Sequence, residues 1–158
     1  MSDLGNSKVF SKLDANSGYW QMRLHNDCQK LTTFITPFGH YFCKRLPFGI
    51  SSAPKIFQRE MQKLLVDLEG VICHMDDILV HGSTQEQHDL RLRKVLERIK
   101  TAGVTLNKQK SEFGKTTVKF LGHIIDQEGI RADPEKIASI ETFPEPKNRK
   151  ELRRFLAW

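Results

Sequence analysis

Two adjacent carboxylates, Asp76-Asp77, interrupt an apolar stretch between Val71-Ile72-Cys73-His74-Met75 and Ile78-Leu79-Val80. Like charges this close repel, and burying either one without a partner is expensive. A bound divalent cation resolves both problems, and an oxygen-only donor set favours Mg²⁺ or Mn²⁺. The alternative is a solvated hairpin tip, where aspartate is common. A third acid, Asp14, closes the segment Phe10-Ser11-Lys12-Leu13-Asp14 just before the break Asn16-Ser17-Gly18. Asp14 read alone is a strand-ending turn residue. If its strand lies beside the hairpin, the three acids gather at neighbouring strand ends. They could then hold two ions about 3.5–4 Å apart, the arrangement that serves in-line phosphoryl chemistry.

The elements that must position these acids are legible from hydrophobic pattern. Lys8–Asp14 reads as a short strand. Thr32–Thr36 and His40–Arg45 read as a strand pair turning at Pro37-Phe38-Gly39. Ser51 or Ser52 can cap a helix with Pro54 in its first turn. Phe57, Met61, Leu64, Leu65 and Leu68 form its buried face, and Gly70 stops it. Val71–Met75 and Ile78–His81 form a hairpin with the acids at its tip. Thr84, with Gln87 at the capping-box position, opens a second helix whose stripe is Leu92, Val95, Leu96 and Ile99, ending at Gly103. Val118–Leu121 and His123–Asp126 read as strands around Gly122, and Asp133-Pro134 starts a short helix carrying Ile137 and Ile140. Pro144 and Pro146 make a linker before a helix over Lys150–Trp158. Helices interleaved with antiparallel strands give an α+β fold: a small antiparallel sheet with two helices packed on one face and the other face free for a ligand.

Composition narrows the partners. The 158 residues carry 25 Lys+Arg against 19 Asp+Glu, a net charge of +6 and a pI near 9.3. That tilts the partner toward a polyanion, nucleic acid first. From Pro144 onward, five basic residues oppose Glu145 and Glu151, so this stretch either meets phosphates or forms a solvated amphipathic helix packing through Leu152, Phe155 and Leu156. No apolar run approaches the ~20 residues of a membrane helix, and the first residues lack the regions of a secretion signal. Cys28, Cys43 and Cys73 form no CxxC pair, which points to neither a disulfide framework nor a zinc knuckle but to a reduced, intracellular chain.

Taken in order, the segments resemble the sequence blocks of reverse transcriptases from gypsy-class LTR retrotransposons. FSKLDANSGYWQMRL resembles the first catalytic block, and TTFITPFGHYFCKRLPFGISSAPKIFQREM the strand pair and helix below the nucleotide site. VICHMDDILVHG resembles the YxDD-type hairpin, and LNKQKSEFGKTTVKFLGHIID the block that follows it with the primer-gripping hairpin. The remainder resembles the connector toward a thumb. The resemblance implies a polymerase palm with a ferredoxin-like core and partial fingers over residues 1–143, and a connector or start of a thumb over residues 144–158. It implies RNA-directed DNA polymerisation: a retrotransposon Pol polyprotein domain adding deoxynucleotides to a primer 3′-hydroxyl on an RNA or DNA template.

The resemblance also implies roles for single residues. Asp14, Asp76 and Asp77 would hold two Mg²⁺ or Mn²⁺ ions. Tyr19 would exclude a 2′-hydroxyl; without the resemblance it reads equally as a core tyrosine. Phe48 and Gly49 would lie beneath the incoming dNTP, where glycine permits close backbone approach. Lys110 would protonate the leaving pyrophosphate, although among Lys108 and Lys115 it also reads as solvated surface. Phe120, Leu121 and Gly122 would grip the primer, although Val118-Lys119-Phe120-Leu121 also reads as an ordinary core strand. His74 stands where the resemblance expects tyrosine, and could alter nucleotide contacts. The expected partners are primer–template, dNTPs, and the fingers, thumb and ribonuclease H segments of a larger polyprotein, with no membrane. With only part of the fingers, the chain is expected to bind nucleic acid weakly and to be near-inactive alone. The competing readings are a non-catalytic or co-opted palm that binds nucleic acid or a protein, and a metal-dependent nuclease.

Overall fold

In the computed structural model, which describes residues 4–156, the chain builds β1 (Val9–Asp14), α1 (Gly18–Gln21), α2 (Asn26–Gln29) and a 3-10 turn at Lys30–Thr32. Then come β2 (Phe34–Thr36), β3 (Gly39–Tyr41), α3 (Ala53–Leu65), β4 (Val71–His74), β5 (Asp77–Gly82) and α4 (Gln85–Thr101). β6 (Glu112–Lys115), β7 (Val118–Phe120), β8 (His123–Asp126), β9 (Gly129–Ala132), α5 (Pro134–Glu141) and α6 (Arg149–Leu156) complete the order. Ala157 and Trp158, the end of the terminal helix expected from sequence, lie outside the described residues.

Period-two alternation sorts β1 and β5 into two faces. Their antiparallel register sets Leu13 opposite Ile78 and Ser11 opposite Val80. Leu13, Ile78 and Val80 join Phe57, Met61 and Leu65 of α3 and Val95 and Ile99 of α4 in one buried cluster. The intervening residues put Phe10, Lys12 and Asp14 of β1 on the opposite face, with Leu79 and Asp77 of β5. The sheet order is β4-β5-β1-β6, so the acid-bearing strand ends of β1 and β5 are neighbours at the centre.

The second face is not free, as the sequence had suggested. Phe10 and Leu79 are apolar and need cover, and the three-stranded sheet β7-β8-β9 supplies it. Leu4, Val118, Phe120 and Ile125 bury Phe10 and Leu79 in a second core. Only the end of this face that carries Lys12, Asp14 and Asp77 stays half-buried. The three-stranded sheet on one side and helices α3 and α4 on the other therefore sandwich β1 and β5, an α+β architecture.

Several boundaries move for local reasons. The first hairpin shrinks to β2 and β3, and the chain beyond is held by Cys43 N–H on Thr32 Oγ1 (2.9 Å) and by a bridge between Arg23 and Arg45. α3 ends at Leu65, yet Leu68 still packs on the helix-side core, and Gly70 turns the chain at φ +68°. Thr84 caps α4 by accepting from Gln87 N–H (3.2 Å), while the Gln87 side chain accepts from Ser83 N–H (2.9 Å), one residue earlier than a capping box predicts. Two strands escaped the sequence reading. β9 pairs with β8, and β6 pairs with the outer side of β1 through a bulge. Among the described residues no helix is long and apolar enough to cross a membrane.

Candidate active site

Register alone brings two of the acids together: Asp14 and Asp77 are Cα partners at the end of the β1–β5 pair. β4 and β5 close at His74 opposite Asp77, which leaves Met75-Asp76 as a two-residue turn. Met75 holds φ +51°, a left-handed value that such hairpin turns usually assign to glycine. The turn folds back on β1, where Ala15 N–H donates to Asp76 C=O at 2.7 Å. Asp76 thus joins Asp14 and Asp77 at one end of the sheet.

Asp76 is the most perturbed of the three. Its Oδ1 is buried with no hydrogen-bond partner among the described residues. It lies against Gly18, where a Cβ would fall 2.0 Å from Asp76 Oδ1 and 2.6 Å from the Phe57 ring. The absence of a side chain at residue 18 is what admits the carboxylate. Burial raises the Asp76 pKa above the ordinary carboxylate range, the Asp14 and Asp77 charges raise it further, and Lys110 opposes them. Burial, followed by the charges of Asp76 and Asp77, also pushes the nearby Cys73 thiol up to about 11. Cys73 therefore stays protonated at neutral pH and is no nucleophile.

The loop at 107–111 ties Lys110 to this end of the sheet. Asn107 N–H donates to Asp14 C=O (2.8 Å), and Asp14 N–H donates to Ser111 Oγ (3.2 Å). Asn107 Oδ1 accepts from the backbone N–H groups of Gln109 (3.0 Å) and Lys110 (3.3 Å), a side-chain turn that fixes the loop. Lys110 itself is exposed. Asp77 pairs with Lys12 at 3.4 Å.

The donor set fits a hard divalent cation in part. Asp76 offers an orphaned oxygen beside Asp14, all donors are carboxylate oxygens, and the electrostatic strain is what a cation would relieve. Asp77 is drawn toward Lys12 instead. Among the described residues no three His, Cys, Asp or Glu side chains are gathered as a ready-made chelating group.

The remaining sequence-selected residues divide. Tyr19 is half-buried, its ring 5.1 Å from Phe48 and 5.5 Å from Phe57, so it belongs to the same wall as Gly18. Phe48 is 61% exposed, an open apolar surface beside Tyr19. Gly49 meets nothing within 4 Å on its Cβ side, so its φ of +89°, rather than close contact within the chain, is what calls for glycine. Phe120 is core, 1% exposed beneath the central sheet. Leu121 and Gly122, at φ +50° and +75°, form the two-residue β7–β8 turn, and the space beside Gly122 is filled by Lys136. Described contacts of this trio run to the second core, His123, Asp133 and Lys136, not to Asp14, Asp76 or Asp77. His74 is exposed beside the hairpin tip.

Sequence reasoning missed three residues. Gly18 was read as a chain break and serves as the floor under Asp76. Gln21 anchors the loop behind Asp14: its amide donates to Asn16 C=O (2.6 Å) and Thr105 C=O (3.0 Å) and accepts from Thr105 N–H (2.7 Å). Gln58 of α3 hydrogen-bonds the acidic hairpin. A glutamine beside an apolar stripe carries no periodic signal that would single it out.

Known proteins resemble this chain in sequence and in fold. The family model "Reverse transcriptase (RNA-dependent DNA polymerase)" matches residues 1–125. The chain is 40% identical over 158 residues to a retrovirus-related Pol polyprotein from transposon opus of Drosophila melanogaster, covering 99% of this chain and 16% of that protein. It is 43% identical to the enzymatic polyprotein of Cestrum yellow leaf curling virus, covering 95% of this chain and 24% of that protein. It is 35% identical to the transposon Tf2-3 polyprotein of Schizosaccharomyces pombe, covering 99% of this chain and 12% of that protein. The chain thus spans a quarter or less of the length of these relatives. Among solved structures, the foamy viral protease-reverse transcriptase in complex with an RNA/DNA hybrid superimposes with a TM-score of 0.85 at 29% identity, covering 98% of this chain and 21% of that one. The same kind of protein in complex with double-stranded DNA gives a TM-score of 0.88 at 29% identity, covering 99% of this chain and 28% of that one.

Proposed function

The chain belongs to the reverse transcriptase family, and from that premise we propose that Asp14, Asp76 and Asp77 form a nucleotidyl-transfer centre acting on a primer 3′-hydroxyl and a dNTP. The observation that carries this reading is the buried, unpartnered Oδ1 of Asp76, held against two like charges. A structural carboxylate would have found a donor. Reverse transcriptases as a family use divalent metal ions, and the ions we assign here are two Mg²⁺ or Mn²⁺. Bound between the acids, they would supply a lowered pKa for the primer hydroxyl and charge neutralisation for the leaving pyrophosphate.

This chain's own residues do the rest. Asp14 and Asp76 hold the charge at the sheet end, and Asp77 joins them by leaving Lys12. Tyr19, braced by Phe48 and Phe57, presents its ring where a sugar would lie and selects against a 2′-hydroxyl. Phe48 and Gly49 form the surface beneath the base and sugar, with no side chain at residue 49 to obstruct approach. Lys110, within electrostatic reach of Asp76, is placed to return a proton to pyrophosphate. Leu121 and Gly122 present a turn to the primer, while Phe120 supports that turn from the core. Residues 1–143 act as palm with partial fingers, and residues 144–158 as the connector toward a thumb. Nucleic acid as partner is supported by the positive net charge and by the RNA/DNA and DNA complexes of the similar structures.

Primer extension under single-turnover conditions, with chain in excess over a primed RNA or DNA template, Mn²⁺ present and a fingers-bearing segment supplied in trans, tests the reading. Expected is template-directed incorporation, dNTP over rNTP, slowed by about 10³-fold in Asp76→Asn, the equivalent of roughly 4 kcal/mol of lost transition-state stabilisation. Binding of primer–template and Mn²⁺ without any incorporation would favour the binding-only palm. Cleavage of the template in the absence of dNTPs would favour the nuclease.

A further inference from the structure

The side-chain amide of Gln58 is matched to the acidic hairpin at both ends. Its Nε2 donates to Cys73 C=O at 3.0 Å, and its Oε1 accepts from Met75 N–H. Rotating the amide by half a turn would set donor on donor and acceptor on acceptor, so the pairing fixes its orientation. His74 faces Asp77 across the hairpin, and in a pleated strand the carbonyl before such a residue and the N–H after it point to the opposite side. These are the two groups that Gln58 takes. β4 is an edge strand, so one side chain occupies the place that a further strand would fill.

Gln58 also acts at the strained point. Met75 carries φ +51° in a position suited to glycine, and the next residue is Asp76. Such a conformation is disfavoured for a residue that carries a side chain and persists where surrounding contacts hold it. The hydrogen bond to Met75 N–H is one of those contacts. Gln58 follows Phe57, whose ring lies against Gly18 under the Asp76 carboxylate. Consecutive residues of α3 therefore grip the Asp76 turn from its backbone and from its side chain.

We propose that Gln58 is a positioning residue that keeps the Met75-Asp76 turn in its left-handed form and so aims the Asp76 carboxylate into the site. This rests on the reading of Asp76 as a metal-holding residue. Gln58→Met keeps the length and removes both hydrogen bonds. Gln58→Asn keeps the amide and shortens its reach. Val95→Ala, on α4 in the buried helix-side core and with no hydrogen bond to the Met75-Asp76 turn, serves as a control for lost stability alone.

Three readouts decide it in the full chain: hydrogen exchange at the Met75 amide, Mn²⁺ affinity, and primer extension, with the fingers-bearing segment supplied in trans, split into kcat and KM for dNTP. In Gln58→Met the Met75 amide should exchange at least about tenfold faster. Mn²⁺ affinity should fall about tenfold, the scale seen when a group orienting a metal ligand is removed. kcat should fall with KM nearly unchanged. Gln58→Asn should lie between Gln58→Met and wild type. Val95→Ala should lower Tm without moving Mn²⁺ affinity. If Gln58→Met leaves exchange and Mn²⁺ affinity at wild-type values while Asp76→Asn loses Mn²⁺, the positioning role is wrong and the site reading stands. If wild type and Asp76→Asn bind Mn²⁺ alike, the site reading fails and this role falls with it.

Discussion

Two polar clusters sit three residues apart on β1, on opposite faces of one sheet, and they are solved in opposite ways. On the helix face, Ser11 Oγ accepts from Gly114 N–H (3.0 Å) and lies 2.8 Å from His88 Nε2, while His88 Nδ1 lies 2.9 Å from Asp89 Oδ1. Asp89 also accepts from Gln85 (2.8 Å). Ser, His and Asp in that sequence of contacts resemble a nucleophilic triad, yet Ser11 is 0% and His88 1% exposed, so no substrate reaches them. Every buried side-chain polar atom there has a partner, and the cluster ties α4, β1 and the bulge in β6 together. On the other face, Asp14 and Asp77 meet Asp76 of the β4–β5 turn at one end of the sheet, with mutual repulsion and an oxygen that has no partner among the described residues. Satisfaction marks a structural cluster, and an unsatisfied carboxylate beside like charges is the feature on which the proposed ion site rests.

His88→Ala is expected to separate the two clusters most clearly. It leaves a cavity and strips Ser11 of a partner, at roughly 2–4 kcal/mol. For a chain of this size that is a fall of roughly 5–15 °C in Tm. Mn²⁺ affinity, measured below the lowered Tm, should hold at the wild-type value. A parallel loss of Mn²⁺ binding would mean that β1 couples the clusters and that the contrast is false.

The two aspartates should respond to pH with opposite signs. The hydrogen bond with His88, then that from Gln85, holds Asp89 below the ordinary carboxylate range. Its contribution is present above the unfolded pKa and is lost as pH falls through the folded one. Asp89→Asn should therefore be less stable than wild type at neutral pH, with the gap closing in acid. Asp76 is raised, by burial first and then by Asp14 and Asp77. Its neutral form is the favoured one in the fold, so stability is full below the ordinary carboxylate pKa and declines as pH rises through the raised value. Asp76→Asn should be more stable than wild type at neutral pH without metal, and the two should converge in acid. Denaturant melts in a chelator at several pH values between about 3 and 7 read both. Gaps of the same sign would remove the electrostatic distinction.

The smallest expected effect is at Lys12, which pairs with Asp77 at 3.4 Å. The pair is partly exposed, so Lys12→Met should cost no more than about 1 kcal/mol in Tm or denaturant midpoint. Removing that cation beside the acids should raise Mn²⁺ affinity, by no more than about fivefold. A fall in affinity would show that Lys12 organises Asp77 rather than competing for it.

What the sequence revealed follows the same division. The acids were legible because carboxylates interrupt apolar strands, where local pattern makes them conspicuous. Helices α3, α4 and α5 were legible because their apolar residues repeat at helical spacing and Thr84 and Asp133 cap α4 and α5 with side-chain hydrogen bonds, whereas the four-residue α1 and α2 are too short to show a stripe and were not read. β6 was not, since Glu112-Phe113-Gly114-Lys115 is exposed throughout, without alternation, and is held by Ser11 across a bulge. The covered half of the second face was missed because Phe10 and Leu79 find their partners more than a hundred and about forty residues onward, at Phe120 and Val118. Gly18 and Gln58 gain their roles only once α1, α3 and the β4–β5 turn meet.

The central claim is that the repelling carboxylates are a divalent-ion site. Mn²⁺ titration of wild type and Asp76→Asn, followed by Tm at constant pH and ionic strength, tests it most directly. Wild type should bind saturably and gain about 2.7 kcal/mol of stability at a hundred times Kd, while Asp76→Asn stays folded and gains nothing. Wild type and Asp76→Asn rising together, or neither rising at all, would contradict the claim.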